Sequence, residues 1–332
     1  MKIGYFADGP WAHRAFDILS KDKTLEIKFV VVRFDSPDLV LINKAEQNNI
    51  PVEIDKNINS DRFIEKIKMY NVDLFVSMSF NQIFKRQMIN LPPLKTINCH
   101  AGKLPYYRGR NILNWVLIND EKEFGITVHY VDEGIDTGDI ILQRTYPITD
   151  DDNYATLLNR AYTSCADILY EAIKLIQTGT LSVIKQNEID PIGMYCGMRR
   201  EGDEIIDWNL SSREIFNFVR AVCPPGPGAL CWVNGIQMKI NKVKLINGAR
   251  RYINIPGQVI GKTMNGFYVK TKDTFVEVLE YEYDGKIRVG DRLTNLNKYN
   301  EETIQSMDTL RIDVSTRGGG PNRSIIKFRL AG

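Results

Sequence analysis

The sequence predicts an α/β fold, a Rossmann-like and mostly parallel sheet followed by a small OB-like β-barrel domain. Three observations predict it. Apolar, β-branched runs alternate with amphipathic helical segments through the first part of the chain. One long amphipathic segment then closes that part. From Ala229 onward the pattern turns into short alternating segments punctuated by Asn-Gly and Asp-Gly.

In chain order, KIGYFA (2–7) is a short apolar strand and AHRAFDILSK (12–21) carries Ala15, Ile18 and Leu19 at helical spacing. The run IKFVVVRF (27–34) suits a strand buried on both faces. A helical segment (39–49) and a short strand, IPVEID (50–55), come next. SDRFIEKIKMYN (60–71) has Ser60 or Asp61 as cap and Phe63, Ile64 and Ile67 as an apolar face. VDLFVSMS (72–79) and LKTINCH (94–100) are two more strands. Strands separated by helices imply right-handed crossovers, and ligands then bind beyond the carboxyl ends of the strands. Residues 153–179 form one long helix stopped by Gly179. Residues 203–228 form a bridge with one further helix, capped by Ser211 or Ser212. In the β-rich part, Asn265-Gly266 and Asp284-Gly285 read as hairpin turns. The division expected is a catalytic domain at 1–200, a linker helix with the barrel at 201–310, and a tail at 311–332 whose Gly-rich joint suggests flexibility.

At 332 residues, 43% of them hydrophobic, the chain can bury more than one core. Its 43 basic and 41 acidic residues nearly cancel, giving a net charge of +2 and no broad electrostatic footprint for nucleic acid or an anionic membrane. The five cysteines (Cys99, Cys165, Cys196, Cys223 and Cys231) show no metal-ligand spacing and read as reduced, mostly buried thiols. The first residues enter a strand directly, and no apolar run is long enough to span a bilayer, so the expected location is cytoplasmic, without membrane association.

Candidate chemistry begins with what is missing. The first strand is followed by ADGPWAHR, with Gly9 but no GxGxxG, and there is no P-loop, which argues against a nicotinamide enzyme. The oddity is Asn98-Cys99-His100, at the end of a strand. Asn98 and His100 share one face and Cys99 points to the other. Taken alone, the pair also suits a histidine satisfied by backbone beside a turn-forming asparagine. YVDEGIDTGDIILQ (130–143) sets Asp132, Glu133, Asp136 and Asp139 around Gly134 and Gly138, and taken alone suits a solvated turn. Together they suit acyl transfer to an external amine. A carboxylate near an imidazole fixes its tautomer and favours its protonated form, and an asparagine N–H can stabilise a developing oxyanion. No Ser or Cys nucleophile is required.

The stretch from Asn98 to Gln143 resembles the formyltransferases that use 10-formyltetrahydrofolate. It carries Asn-x-His, a Leu-Pro-x-x-Arg-Gly loop (Leu104 to Gly109), Gly-Ile-Thr (125–127) and an Asp-x-Gly-Asp loop (136–139), in that order. Residues 205–230, PGQVIGK (256–262) and VGDRL (289–293) look like the C-terminal domain of methionyl-tRNA formyltransferase and of the formyltransferase domain acting on UDP-4-amino-4-deoxy-arabinose. The resemblance covers roughly residues 1–295. It implies Asn98, His100 and Asp136 as the catalytic set, with Asn98 binding the oxyanion, His100 moving protons and Asp136 orienting His100. It implies a folate pocket from Gln82, Ile83 and Phe84, from Arg110, and from the loop Asp132, Glu133, Gly134, Ile135 and Asp136. The cosubstrate is 10-formyltetrahydrofolate, with no metal.

For the acceptor, the resemblance to the tRNA enzyme falters at RFDSPDLVLINKAEQNNIP (33–51). That loop is longer and strongly basic in the tRNA enzyme, but short and nearly neutral here. The segment YRGRNILNWVLIN (107–119) is closer to the amino-sugar enzymes. The expected function is therefore N-formylation of a UDP- or dTDP-linked amino-deoxy sugar for a cell-surface or flagellar glycan, with no nucleic acid partner. The alternative is methionyl-tRNA formylation; a formyltetrahydrofolate hydrolase and an inactive folate-binding protein are further readings. Arg108 and Asn111 are candidate acceptor contacts, and Arg199 and Arg200 are candidates to meet a diphosphate, although two exposed arginines also suit a solvated face. A homodimer is expected from the family.

Overall fold

The structure, a computed structural model, describes residues 1–295. Residues 296–332, with the expected tail and the end of the expected barrel, lie outside the described residues. The chain runs β1 (Lys2–Ala7), α1 (Gly9–Leu19), β2 (Glu26–Val32), α2 (Leu39–Gln47), β3 (Val52–Ile54), α3 (Asp61–Lys68), β4 (Leu74–Met78), α4 (Arg86–Ile89) and β5 (Thr96–His100). It continues through β6 (Arg108–Gly109), α5 (Ile112–Ile118), β7 (Glu123–Tyr130), β8 (Ile140–Pro147), α6 (Tyr154–Thr178), α7 (Gln186–Ile189) and β9 (Tyr195–Cys196). Then come α8 (Ser212–Val222), β10 (Ala229–Val233), β11 (Ile236–Leu245), β12 (Val259–Lys262), β13 (Phe267–Lys270), β14 (Phe275–Tyr283) and β15 (Leu293–Thr294).

The first sheet has seven strands in the order β3-β2-β1-β4-β5-β7-β8. Pairing is parallel from β3 to β5 and antiparallel for β7 and β8. Strands buried on both faces are near-continuous apolar runs, as KIGYFA and LFVSM are. One face is covered by α1, α2, α5 and α6, through residues such as Phe16, Leu41, Val116 and Ile168. The other is covered by α3 and α4 over an aromatic cluster of Phe6, Phe29, Phe75 and Phe84. Helix α6 has a reciprocal capping box, Asn153 with Thr156, and ends at Gly179 in the left-handed region (φ 68). No helix among the described residues is long and apolar enough to cross a membrane.

The second sheet is antiparallel, in the order β12-β13-β14-β11-β10-β15. It curls until its edges meet: the N–H of Val259 donates to the Asp291 carbonyl and that of Leu293 to the Gly257 carbonyl, both at 2.8 Å. Asn265-Gly266 does join paired strands, β12 and β13. Asp284-Gly285 does not: β14 already lies between β11 and β13, and the chain crosses to β15 beside β10. The tight hairpin the sequence reading did not single out is Asn234-Gly235 between β10 and β11, with φ of 51 and 79 at its two residues.

Candidate active site

Strand β5 lies between parallel β4 and antiparallel β7, so Asn98 stands opposite Ser77 on one side and His129 on the other. Its end opens into a cleft of about 740 Å³ at the carboxyl ends of the strands. Asn98 and His100 line it. Cys99 faces the helical layer, where its thiol donates to the Cys165 carbonyl of α6 at 3.6 Å. All five cysteines are free, four of them buried.

The polypeptide after β5 folds back over His100. His100 Nε2 donates to the Tyr107 carbonyl at 2.7 Å, because a carbonyl can only accept. That leaves Nδ1 with the free lone pair, 3.6 Å from Asp136 Oδ2. The return passes close to the ring at Gly102, where a Cβ would stand 2.5 Å from both His100 Nε2 and the Tyr107 oxygen. Only glycine permits that approach. The carbonyl of Tyr107 therefore fixes the ring, and Asp136, too distant for a hydrogen bond, faces it as a charge. Asp136 was expected to orient His100; here the Tyr107 carbonyl holds the ring and Asp136 faces Nδ1.

Asp136 sits in the left-handed region (φ 54), on the tight turn of its loop. Its Oδ2 accepts from the backbone N–H of Gly109 at 2.9 Å, and its Oδ1 lies 3.5 Å from His129 Nε2. Burial alone would push its carboxyl up. His100, His129 and the Gly109 N–H more than offset that, and hold it well below the usual carboxylate range. His129, only 2% exposed, was given no role by sequence reasoning. Its Nδ1 donates to the Tyr130 carbonyl at 2.7 Å, so in the neutral ring Nε2 accepts from Asn98 Nδ2 at 3.3 Å. His129 Nε2 thus stands between Asn98 Nδ2 and Asp136 Oδ1.

Of the other expected residues, Gln82, Ile83, Phe84, Arg110, Asn111, Asp132, Gly134, Ile135 and Arg199 line the cleft. Within it Ile83 is 64% exposed, whereas Phe84 is buried in the aromatic cluster, 5.0 Å from Phe6. Gln82 spends its amide on the backbone of Ile58 and Asp55. Three of the expected residues lie outside the cleft. Glu133 turns away to pair with Arg86 at 2.8 Å. Arg108 is buried outside the cleft, held by Gln186, the Ile192 carbonyl and the Tyr195 hydroxyl, where it braces two loops. Arg200 stands outside the cleft, its backbone N–H on the Asp203 carboxylate.

Comparison with known proteins fits this geometry. The family described as formyl transferase matches residues 1–173, and the family described as formyl transferase, C-terminal domain, matches residues 199–294. The chain belongs to the formyl transferase family. It is a formyl-transfer enzyme. It is 33% identical over 245 residues to the methionyl-tRNA formyltransferase of Geotalea daltonii, spanning 74% of this chain and 76% of that one. It is 34% identical over 245 residues to that of Clostridioides difficile, spanning 74% and 78%. Among solved structures it shares its fold with WlaRD, described as a sugar 3N-formyl transferase, at a TM-score of 0.63 and 24% identity, over 86% of this chain and 99% of that one. An N-formyltransferase from Helicobacter canadensis gives 0.61 and 23%, over 85% and 99%. In this formyl transferase the segment after α6 also reaches the cleft. Strand β9 pairs with β6, which brings Met198 and Arg199 beside Arg110 and Asn111.

Proposed function

We propose that this formyl transferase moves the formyl group of 10-formyltetrahydrofolate to the primary amine of a UDP- or dTDP-linked amino-deoxy sugar, with Asn98, His100 and Asp136 carrying the chemistry. The observation that carries the reading is the meeting of these three side chains, from β5 and the loop after β7, at one cleft. The neutral amine attacks the formyl carbon, a C–N bond forms, and the carbonyl oxygen becomes an oxyanion. Asn98 donates an N–H to that oxygen; such a donor is worth about 10²–10³ in turnover. His100 Nδ1 takes the proton from the attacking nitrogen and returns one to nitrogen 10 of the folate as the C–N10 bond breaks. General acid–base transfer of this kind contributes about 10²–10⁴-fold. The transient imidazolium faces the Asp136 carboxylate. Folate fits between the segments 82–84 and 132–135, which offer the apolar surfaces of Ile83 and Ile135 beside backbone polar groups.

The sugar acceptor is supported by the short β2–α2 connection. Its single arginine, Arg33, is committed to Asp35 and Asp8, so it offers no basic surface to a polynucleotide. The likeness to WlaRD and the Helicobacter canadensis enzyme, whose title names dTDP-3-aminofucose, agrees. The second reading, methionyl-tRNA as acceptor, is favoured by the sequence relatives. Incubation of the protein with 10-formyltetrahydrofolate and a panel of aminated nucleotide sugars, read by mass, tests the choice. A formyl gain on a sugar nucleotide is expected. Formylation of methionyl-tRNA with no sugar turned over would overturn the acceptor.

A further inference from the structure

Among the described residues, three cations line the cleft: Arg33, Arg110 and Arg199. Arg33 is neutralised by Asp35 and Asp8. Neither of the others forms an ion pair among the described residues. Arg110 reaches only the Met198 sulfur at 3.8 Å. Arg199 donates to the Asp203 carbonyl at 2.7 Å and rests 5.9 Å above the Phe218 ring. The other cleft carboxylates are already engaged, Asp132 by Gly134 and Thr137, and Asp136 by Gly109 and the two histidines. A half-buried guanidinium with one carbonyl acceptor and no ion pair keeps donors that are not satisfied within the chain, although the charges of Asp203 and Glu204 lie near it. Burial accordingly lowers the pKa of Arg199. Tyr154, in the same wall, has a half-buried hydroxyl with no partner among the described residues.

We propose that Arg199, with Tyr154 and Arg110, forms an anion subsite for the diphosphate of the acceptor nucleotide. The proposal rests on the sugar-acceptor reading above. A guanidinium grips a phosphate through two parallel N–H donors, and a phenol adds a third. Folate also carries anions, the carboxylates of its glutamate tail, but the position favours the acceptor. Tyr154 and Trp11 belong to the α1 and α6 side of the sheet, whereas Phe84 belongs to the aromatic cluster on the opposite face. His100 stands at the strand end between the two halves, where donor and acceptor must meet. The backbone holds Arg199 there: its N–H donates to Asn111 Oδ1 at 2.9 Å, and Trp115 Nε1 donates to the Gly197 carbonyl at 2.9 Å.

The test uses the full chain and four measurements: KM and kcat for the aminated nucleotide sugar, the Kd of UDP and of dTDP by calorimetry, the Kd of a reduced folate, and thermal melting. Arg199→Ala should raise the KM and the nucleotide Kd by about 10–100-fold, with kcat within about threefold and folate binding unchanged. Tyr154→Phe should weaken the same two constants by about three- to tenfold and Arg200→Ala should leave them alone. Unchanged nucleotide binding in Arg199→Ala, or a loss that falls on folate instead, overturns the subsite. If Arg199→Ala melts early, Tyr154→Phe decides on the same criteria. Wild-type protein that binds neither UDP nor dTDP and formylates no sugar nucleotide overturns the acceptor reading itself, and the subsite with it.

Discussion

His100 owes its geometry to backbone, not to charge. The Tyr107 carbonyl takes the Nε2 proton, and the free Nδ1 is left facing Asp136. Replacing His100 with Asn removes the proton-accepting nitrogen without adding bulk or charge, and Gly102 leaves the neighbouring backbone undisturbed. His100→Asn should therefore fold and bind both ligands, yet lose about 10²–10⁴ in kcat. Asn98→Ala and Asp136→Ala should each lose most activity too, and combined losses should be less than additive because the groups act as a unit. Single-turnover rates at saturating folate and acceptor decide it, and near wild-type turnover in His100→Asn would leave the mechanism without its base. Asp136 adds a pH signature. Its carboxyl is held below its unfolded value, near 3.9. Its contribution is therefore complete above about pH 4–5 and is lost as pH falls through the folded-state pKa. Asp136→Asn removes that contribution and suits the left-handed backbone, which Asn tolerates. The stability gap between wild type and variant, measured by urea unfolding, should narrow from pH 5 to pH 3. A gap that widens would contradict the charged, stabilised carboxylate.

At the scale of elements, what could be read from the sequence was what local physics controls. Ser60 does cap α3, Ser211 caps α8 through a reciprocal box with Glu214, and Gly179 ends α6. The cap on α8 gives a direct prediction. Ser211→Ala leaves the Glu214 N–H at the start of the helix unmet and should cost about 1 kcal/mol in chemical unfolding, with activity retained. No measurable loss would mean that packing alone holds this helix. What was illegible depends on distant partners. Arg108 in YRGR reads as an acceptor contact, but its burial is set by Gln186, 78 residues away. His129 in GITVHYVD reads as one polar position of an alternating strand; only the antiparallel register of β7 against β5 sets it opposite Asn98. Asp284-Gly285 has the local chemistry of a hairpin, but the partner edge of β14 is already taken.

For the whole molecule, the question is how the second sheet can matter to a cleft at the end of the first. Helix α8 is the connection. Asn114 of α5 donates to the Ala221 carbonyl of α8 at 2.6 Å, in a buried contact. Arg220, 6% exposed, donates to the Thr149 and Asp152 carbonyls at 2.7 and 3.2 Å and to Asn217. The same helix carries Phe218, on which Arg199 rests. From the other side the second sheet grips it, with Ser212 bonded to the Thr271 and Thr274 hydroxyls and to the Asp273 carboxylate. A displacement of α8 would thus move one wall of the cleft, though among the described residues none of the second sheet lines it. Truncating Arg220 takes the donor from the Thr149 and Asp152 carbonyls and should cost about 1–3 kcal/mol in urea unfolding. Arg213, on the same helix and more exposed, pairs with Asp120 and Asp150 at the surface, and Arg213→Ala should cost under about 1 kcal/mol. Equal costs for the two substitutions would mean that the buried bonds do not hold α8 in place. If Arg220→Ala is costlier and also raises the acceptor KM while folate binding stays fixed, α8 is the element through which the second sheet shapes the acceptor side of the cleft.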